Sequence, residues 1–134
     1  MICKQRGVTL VELLTVLVIV GILAAIAYPS YRDQVRRSNR TEARVALEQT
    51  AGALEKCYTR YMAYDATANC PTADQFDGGG SFTTPKGYYQ ITAPTLNATQ
   101  FTVRADAQAG QATDTGCTRL ELDQTGNRTP AACW

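Results

Sequence analysis

The chain has 134 residues, a length that is enough for one small domain plus a tail. Its net charge is +1, and it contains no histidine. Without histidine, the sequence has no histidine triad, no histidine general base and no imidazole ligand for zinc. None of its five cysteines forms a C-x-x-C pair, which argues against a zinc ribbon or a thioredoxin-type redox site. We therefore expect no enzyme: no catalytic residue, no metal and no cofactor.

The first predicted element is an apolar run over residues 8–28, in which Glu12 is the one charged residue. At about 1.5 Å per residue, a helix of this length spans roughly 31 Å, close to the thickness of a bilayer core. The short segment before it carries Lys4 and Arg6, and positive flanking charge holds that end in the cytoplasm. The sequence predicts a membrane-spanning helix that places the rest of the chain on the outer side.

Three interpretations of this run compete. It can stay as a plain anchor, or it can be a signal peptide cut at the A-x-A site Ala25–Ala27, leaving a protein that starts at Tyr28. In the third, the chain is cut after Gly7, and the run survives and begins at Val8. A carboxylate inside a hydrophobic helix costs roughly 2.5–3.5 kcal/mol on insertion scales. Glu12 is a liability in a discarded signal, whereas in a retained segment a specific cation offsets its cost, so we favour the third interpretation.

Residues Lys4-Gln5-Arg6-Gly7, followed by Val8-Thr9-Leu10-Val11-Glu12-Leu13 and the apolar run, resemble the class III leader of type IV pilins and pseudopilins. In that family an inner-membrane prepilin peptidase cuts after the glycine and methylates the new N-terminus. The resemblance implies leader cleavage between Gly7 and Val8, N-methylation of Val8 and a role for Glu12 in subunit assembly. Val8 departs from the phenylalanine that the family usually has at this position.

A role for Glu12 in assembly also has a physical rationale. Apolar helices packed side by side slide easily, so a fibre made of them needs a polar contact to set the axial register. The Glu12 carboxylate can pair with the Val8 ammonium of a neighbouring subunit, which offsets both desolvation costs and fixes the stagger.

Beyond the apolar run, Pro29 is expected to bend a continuing helix, and the helical pattern resumes from Ser30 to about Met62. Apolar residues recur there at helical spacing, which predicts one face packed on a sheet. That stripe consists of Leu47, Ala51, Leu54, Tyr58 and Tyr61.

The same half of the helix contains five arginines between positions 32 and 44. Arg36, Arg40 and Arg44 are spaced at i, i+4 and i+8 and share one face, so we consider them a candidate contact for an anionic partner. That partner can be DNA phosphate, anionic lipid headgroups before assembly, or acidic neighbours in a fibre. Residues 45–134 carry six basic and nine acidic side chains, and we favour lipid or neighbours over DNA.

The remaining chain reads as a loop followed by short strands. Residues 62–86 are polar and irregular, and the glycine run at 78–80 indicates a flexible loop. Three or four antiparallel strands then give an α+β fold in which a long N-terminal helix packs on a small sheet. The predicted strands are 88–91, 101–105 and 120–122, with turns at 94–97 and 124–127.

Cysteines remain in an even number once Cys3 is removed with the leader. An exported domain with Cys57, Cys70, Cys117 and Cys133 suggests two disulfides, for which three pairings exist. We expect the sequential pairing, 57 with 70 and 117 with 133. Each bond then closes a loop of about 15 residues, worth about 3 kcal/mol in the chain-entropy model.

The C-terminal residues Cys117–Leu122, Gly126–Arg128 and Cys133–Trp134 are similar to PilE-type minor pilins. The resemblance implies that this disulfide-closed region faces outward and meets surfaces and partners. It also separates the chain from secretion pseudopilins that carry a calcium loop instead of the last disulfide. Isolated carboxylates such as Asp106 and Asp114 are expected to be ordinary solvated surface.

Together these patterns predict a minor pilin of a type IV pilus that supports pilus biogenesis, twitching motility and adhesion. Its expected partners are other pilin subunits, prepilin peptidase and inner-membrane lipid. It would reside in the inner membrane with a periplasmic headgroup and then in an extracellular pilus. The alternatives are a DNA-binding competence pilin and a pseudopilin of a type II secretion system.

The expected divisions are a leader (1–7), an assembly helix (8–28), an amphipathic half-helix (29–63) and a headgroup (64–134).

Overall fold

The computed structural model describes residues 7–134, in which one long helix precedes a five-stranded antiparallel sheet. The α+β class expected from the sequence is confirmed. The chain divides into two compact units, the first ending at Val35 and the second comprising Arg36–Trp134. From here on, the name headgroup refers to this second unit, which is longer than the division expected at residues 64–134 because it includes the second part of the long helix. The predictions for leader residues 1–6, Cys3 among them, lie outside the described residues.

Helix α1 runs from Leu10 to Tyr61 and starts with a side-chain cap. The Thr9 hydroxyl accepts a hydrogen bond of 3.2 Å from the backbone N–H of Glu12, which satisfies one of the free donors of the first turn. The helix is continuous through Pro29, where the sequence suggested a bend. It ends where Met62 adopts a left-handed backbone with φ of 57°.

Within the headgroup, α1 contributes the predicted apolar stripe to the core. Leu47 and Leu54 are fully buried and Ala51 is nearly so, whereas Tyr58 is half-buried. Tyr61 is 39% exposed, so the stripe ends one turn earlier than expected.

The segment between helix and sheet is more ordered than the loop that the sequence suggested. It contains a short helix α2, Pro71–Phe76, and a first strand β1, Ser81–Thr83. Two features make α2 possible: proline suits the first turn of a helix, and the Cys70 sulfur accepts a hydrogen bond from the N–H of Ala73. The glycine run follows α2, and Gly78 and Gly79 have positive φ values that favour glycine.

The sheet continues with β2 (Tyr89–Leu96), β3 (Phe101–Ala107), β4 (Arg119–Asp123) and β5 (Arg128–Thr129), paired in the order β1-β2-β3-β4-β5. The expectation of three or four strands was too low, because β1 and β5 are short. Strand β2 also runs through Pro94, where the sequence predicted a turn. The register between β2 and β3 shifts between Thr92 and Thr95, and such an irregularity tolerates a proline inside a strand.

Both disulfides have the expected sequential pairing. Cys57–Cys70 ties the end of α1 to the start of α2, with a Cα–Cα distance of 5.8 Å. Cys117–Cys133 joins the segment before β4 to the C-terminal end, with a Cα–Cα distance of 5.6 Å. The side chains of Ile91, Phe101 and Leu120 are buried in the same core as three of the four cysteines.

Candidate functional site

The N-terminal part of α1 presents an apolar surface that the described chain does not cover. From Val8 to Ile26, every large aliphatic side chain is more than half exposed. The helix includes an 18-residue window with a mean hydropathy of 2.8, long and apolar enough to cross a membrane. An exposed apolar surface of this extent marks a region that contacts lipid or other proteins.

Glu12 lies in the first turn of this exposed segment. A carboxylate is favourable there, because the free N–H groups and the helix dipole give this end of a helix a partial positive charge. Within residues 7–134, the Glu12 carboxylate forms no ion pair and no hydrogen bond. Its backbone is held by the Thr9 cap, while its side chain remains open to another molecule.

The arginine row of Arg36, Arg40 and Arg44, in contrast, is directed at the protein's own headgroup. Arg40 forms a bidentate ion pair with Asp114, with its Nε and Nη2 atoms each 2.6 Å from a carboxylate oxygen. The side chains are only 17% and 5% exposed. Asp114 is therefore a buried partner of α1, and its expected position on the solvated surface was wrong.

Two buried amides complete the environment of this ion pair. Gln111 donates a hydrogen bond of 2.9 Å from Nε2 to Asp114, and its Oε1 accepts one of 3.1 Å from Asn39. Both amide residues are buried, and Gln111 also reaches the carbonyl of Arg36. The buried charge is thus hydrogen-bonded on both sides, which the low-dielectric interior requires.

The other two arginines are also used within the headgroup. Arg44 donates from Nε and Nη2 to the carbonyl of Cys133, at 3.1 and 2.6 Å, and so fixes the C-terminal disulfide to α1. Arg36 donates to the Thr113 hydroxyl at 3.0 Å. The row acts as a clamp between α1 and residues 111–133, where its three arginines meet a carboxylate, a hydroxyl and a carbonyl of their own chain. Binding of the arginine row to an anionic group of another molecule stays a prediction, because the contacts described here are all within the chain.

The Tyr89 ring is fully buried beside this clamp. Burial raises the pKa of its phenol, because the charged phenolate loses solvation there.

Charged side chains on the sheet are paired across strands. Arg104 bonds Glu121 at 2.7 Å, and Arg119 bonds Asp106 at 2.8 Å. These residues sit directly opposite one another on β3 and β4, and opposite charges at facing positions stabilise a sheet modestly. This arrangement leaves little uncompensated positive charge on that face.

The sequence could not reveal the polar network around Arg40. Its partners lie 72 to 77 positions apart in the chain, and Asn39, Gln111 and Asp114 are of types that usually lie on the surface. The spacing of the arginines placed them on one face, but their partners depend on where residues 111–114 return to the helix.

Two family models match the chain. Residues 29–121 match the model described as "Type IV minor pilin ComP, DNA uptake sequence receptor". Residues 2–28 match the model described as "Prokaryotic N-terminal methylation motif".

Individual proteins give the same picture. The chain is 36% identical over 85 residues to a fimbrial protein of Neisseria meningitidis serogroup A, covering 63% of this chain and 46% of that protein. It is 47% identical over 55 residues to fimbrial protein EcpC of Eikenella corrodens, covering 41% and 36%. These matches span less than half of each relative's length. A solved type IV pilin from Shewanella oneidensis superposes with a TM-score of 0.56 at 30% identity, covering 74% of this chain and 97% of that one.

Proposed function

The chain belongs to the type IV pilin family, in the group of ComP minor pilins, and we propose that it is cleaved after Gly7 and assembled into a pilus through its apolar helix. The match of residues 2–28 to the N-terminal methylation motif supports the cleavage. The Glu12 carboxylate within the exposed aliphatic surface from Val8 to Ile26 supports retention of the segment, because a charge there is a liability in a signal that is discarded. Pilins assemble with other pilin subunits, and the family consists of structural proteins that are not known as enzymes.

Before assembly, the apolar helix would hold the subunit in the inner membrane with its headgroup in the periplasm. Lys4 and Arg6 precede the span, which favours a cytoplasmic N-terminus. The two disulfides of the headgroup fit an oxidising compartment. Inner-membrane lipid and prepilin peptidase are the partners at this stage, and fibre subunits replace them in the pilus.

In the fibre, Glu12 would pair with the methylated Val8 ammonium of a neighbouring subunit. The supporting observation is that the Glu12 carboxylate has no partner within residues 7–134, although it sits in an apolar segment. Removing one member of a buried pair leaves the other charge unpaired, which is strongly unfavourable. The pairing therefore selects one axial register among those that apolar packing alone leaves nearly equal.

Glu12→Gln tests this role in the full chain. We expect the variant to be inserted and cleaved normally but to fall about tenfold or more in sheared fibres, which corresponds to about 1.4 kcal/mol. The matched control is Thr15→Ala in the same segment, because the Thr15 hydroxyl already bonds the Val11 carbonyl within the helix. Fibre incorporation of Glu12→Gln equal to that of the control would rule out the pairing.

DNA binding is a second candidate function, favoured by the match of residues 29–121 to a family model described as a DNA uptake sequence receptor. Arg40 and Arg44 are engaged inside the headgroup, so phosphate contacts would come from exposed cations such as Lys86, and from Arg119 and Arg128 only if phosphate displaced their carboxylate partners Asp106 and Glu48. Fluorescence anisotropy of a labelled duplex with the full chain in detergent tests this. Phosphate contacts predict affinity that falls steeply as salt rises from about 50 to 200 mM. Absence of binding at the lower salt would exclude this function.

A further inference from the structure

Two tyrosines and an arginine lie close together where the apolar run ends. Tyr28 is 65% exposed, Tyr31 is 69% exposed, and the Arg32 side chain is also exposed. All three belong to the first compact unit, which ends at Val35. Within residues 7–134, neither phenol hydroxyl forms a hydrogen bond, and the Arg32 guanidinium forms no hydrogen bond and no ion pair. These polar groups are therefore open to a partner outside the chain.

The three side chains share one side of the helix. Because α1 is continuous through Pro29, the ordinary rise and turn of an α-helix apply here. On that geometry Tyr31, Tyr28 and Arg32 fall within about 100° around the axis and within about 6 Å along it. The Arg32 guanidinium lies 5.9 Å from the centre of the Tyr28 ring, in a cation–π contact that groups the two side chains. We call these three residues the Tyr–Arg belt.

The position of the belt along the helix matches the edge of a bilayer. Tyr28 lies 20 positions after Val8, about 30 Å along a helix, which is the thickness of the hydrocarbon core. With Val8 at the cytoplasmic edge, Tyr28 reaches the opposite edge, and Arg32 lies about 6 Å beyond it. Tyrosine concentrates at this level of a membrane because its ring is apolar and its hydroxyl is polar. Arginine there can extend its guanidinium to the headgroups.

The belt is also better placed to bind lipid than the arginine row. Arg40 and Arg44, which the sequence suggested for anionic lipid, are engaged within the headgroup. The Arg32 guanidinium has no carboxylate partner within the described residues, and a phosphate is its match in both charge and geometry. The chemistry of the belt therefore fits a phospholipid, whose phosphate accepts from the guanidinium and whose ester oxygens accept from the phenol hydroxyls.

From this placement we propose that the Tyr–Arg belt binds phospholipid headgroups at the outer surface of the inner membrane and stops α1 from sinking further into the bilayer. The proposal rests on the proposed function, because it requires that the apolar segment be retained and span the membrane. It goes beyond that function by naming the residues that set the depth of the helix. Apolar side chains alone leave this depth loosely determined, since a helix can tilt or shift at modest cost.

The reactivity of a cysteine just beyond the belt measures this depth. The full chain with Cys3→Ser and Gln34→Cys is inserted into vesicles of phosphatidylethanolamine and phosphatidylglycerol, and a membrane-impermeant maleimide is added outside. Residue 34 is exposed, and the four disulfide-bonded cysteines do not react. The combined change Tyr28→Leu, Tyr31→Leu and Arg32→Leu should slow the reaction of outward-facing chains about fivefold, because it extends the apolar run and lets the helix sink.

Two control variants separate the belt from a general effect of substitution. Tyr28→Trp with Tyr31→Trp and Arg32→Lys keeps the amphipathic rings and the cation, so the reaction rate should stay within about twofold of wild type. Ser30→Leu adds an apolar side chain in the same turn but on the opposite side of the helix, and it should also leave the rate within about twofold. A leucine triple variant that reacts as fast as Ser30→Leu would overturn the proposal.

The outcomes also separate the belt from the proposed function. Wild-type chain that fails to associate with the vesicles would contradict the membrane-spanning segment itself. Wild-type insertion combined with an unchanged rate in the leucine triple variant would overturn the belt alone. If that variant reacted like wild type in vesicles but was missing from sheared fibres, the three residues would contact pilin subunits, and the lipid contact would be wrong.

Discussion

The apolar segment and the headgroup differ in whether their apolar side chains are buried by the chain itself. In the headgroup, Leu47, Ile91 and Phe101 are buried by other parts of the same chain. In the apolar segment, side chains such as Leu14 and Val16 remain about half exposed. The headgroup therefore carries its own core, whereas the segment depends on lipid or on other subunits for its burial.

Two carboxylates show the same difference. Asp114 is buried in the headgroup and satisfied by Arg40 and Gln111 of its own chain. Glu12 lies in the apolar segment and has no side-chain partner within residues 7–134. A charge with an internal partner stabilises the fold of one molecule, whereas a charge without one can select a neighbour.

The largest effect on the headgroup should come from Arg40→Ala. This change leaves Asp114 as a buried charge without its cation, and we expect a loss of about 3–5 kcal/mol in the free energy of unfolding. Urea unfolding of the full chain in detergent, followed through the single tryptophan, measures it. Arg119→Ala is the control, since its ion pair with Asp106 is largely exposed and should cost less than about 1 kcal/mol. Equal losses for the two variants would refute the clamp.

Truncating one leucine in the headgroup and one in the apolar segment tests whether the two regions differ in how their side chains are buried. Leu47→Ala removes a fully buried side chain and should destabilise the headgroup by about 2–5 kcal/mol. Leu14→Ala should leave the same unfolding transition unchanged, because Leu14 is 53% exposed. If Leu14→Ala lowered headgroup stability to a similar degree, the division into two independent regions would be wrong.

The smallest effect concerns pH and the turn between β4 and β5. Hydrogen bonds from Thr125 and from the backbone of Asn127 lower the pKa of Asp123 below its ordinary value. The ionised carboxylate therefore stabilises the headgroup above the unfolded pKa of about 3.9, and this contribution is lost as pH falls through the folded pKa. Asp123→Asn should flatten the decline of stability below about pH 4 in urea unfolding at several pH values. An unchanged pH profile would contradict this role.

Much of the fold was readable from the sequence, because it depends on local patterns. The helical stripe at Leu47 and Leu54 and the alternation from Phe101 to Ala105 follow from periodicity, whereas the sequential pairing of the cysteines was one of three that their number allowed. Strands β1 and β5 have three and two residues, too few to show alternation. Pro94 reads as a turn signal, and only the register shift in the sheet explains why the strand accepts it.

Only some residues of the candidate site could be predicted from the sequence. Glu12 stands out because a single charge interrupts an apolar run. The arginine row was recognised, but its partners were not, since Asp114 and Gln111 lie 74 and 75 positions along the chain from the residues of α1 that they bond.

The mature N-terminus tests the central claim, that the apolar segment is retained and completed by other subunits. Mass spectrometry of the chain recovered from sheared fibres should show cleavage after Gly7 and an N-methylated Val8. A chain that begins at Tyr28 would mean that the segment is discarded, and it would contradict the account.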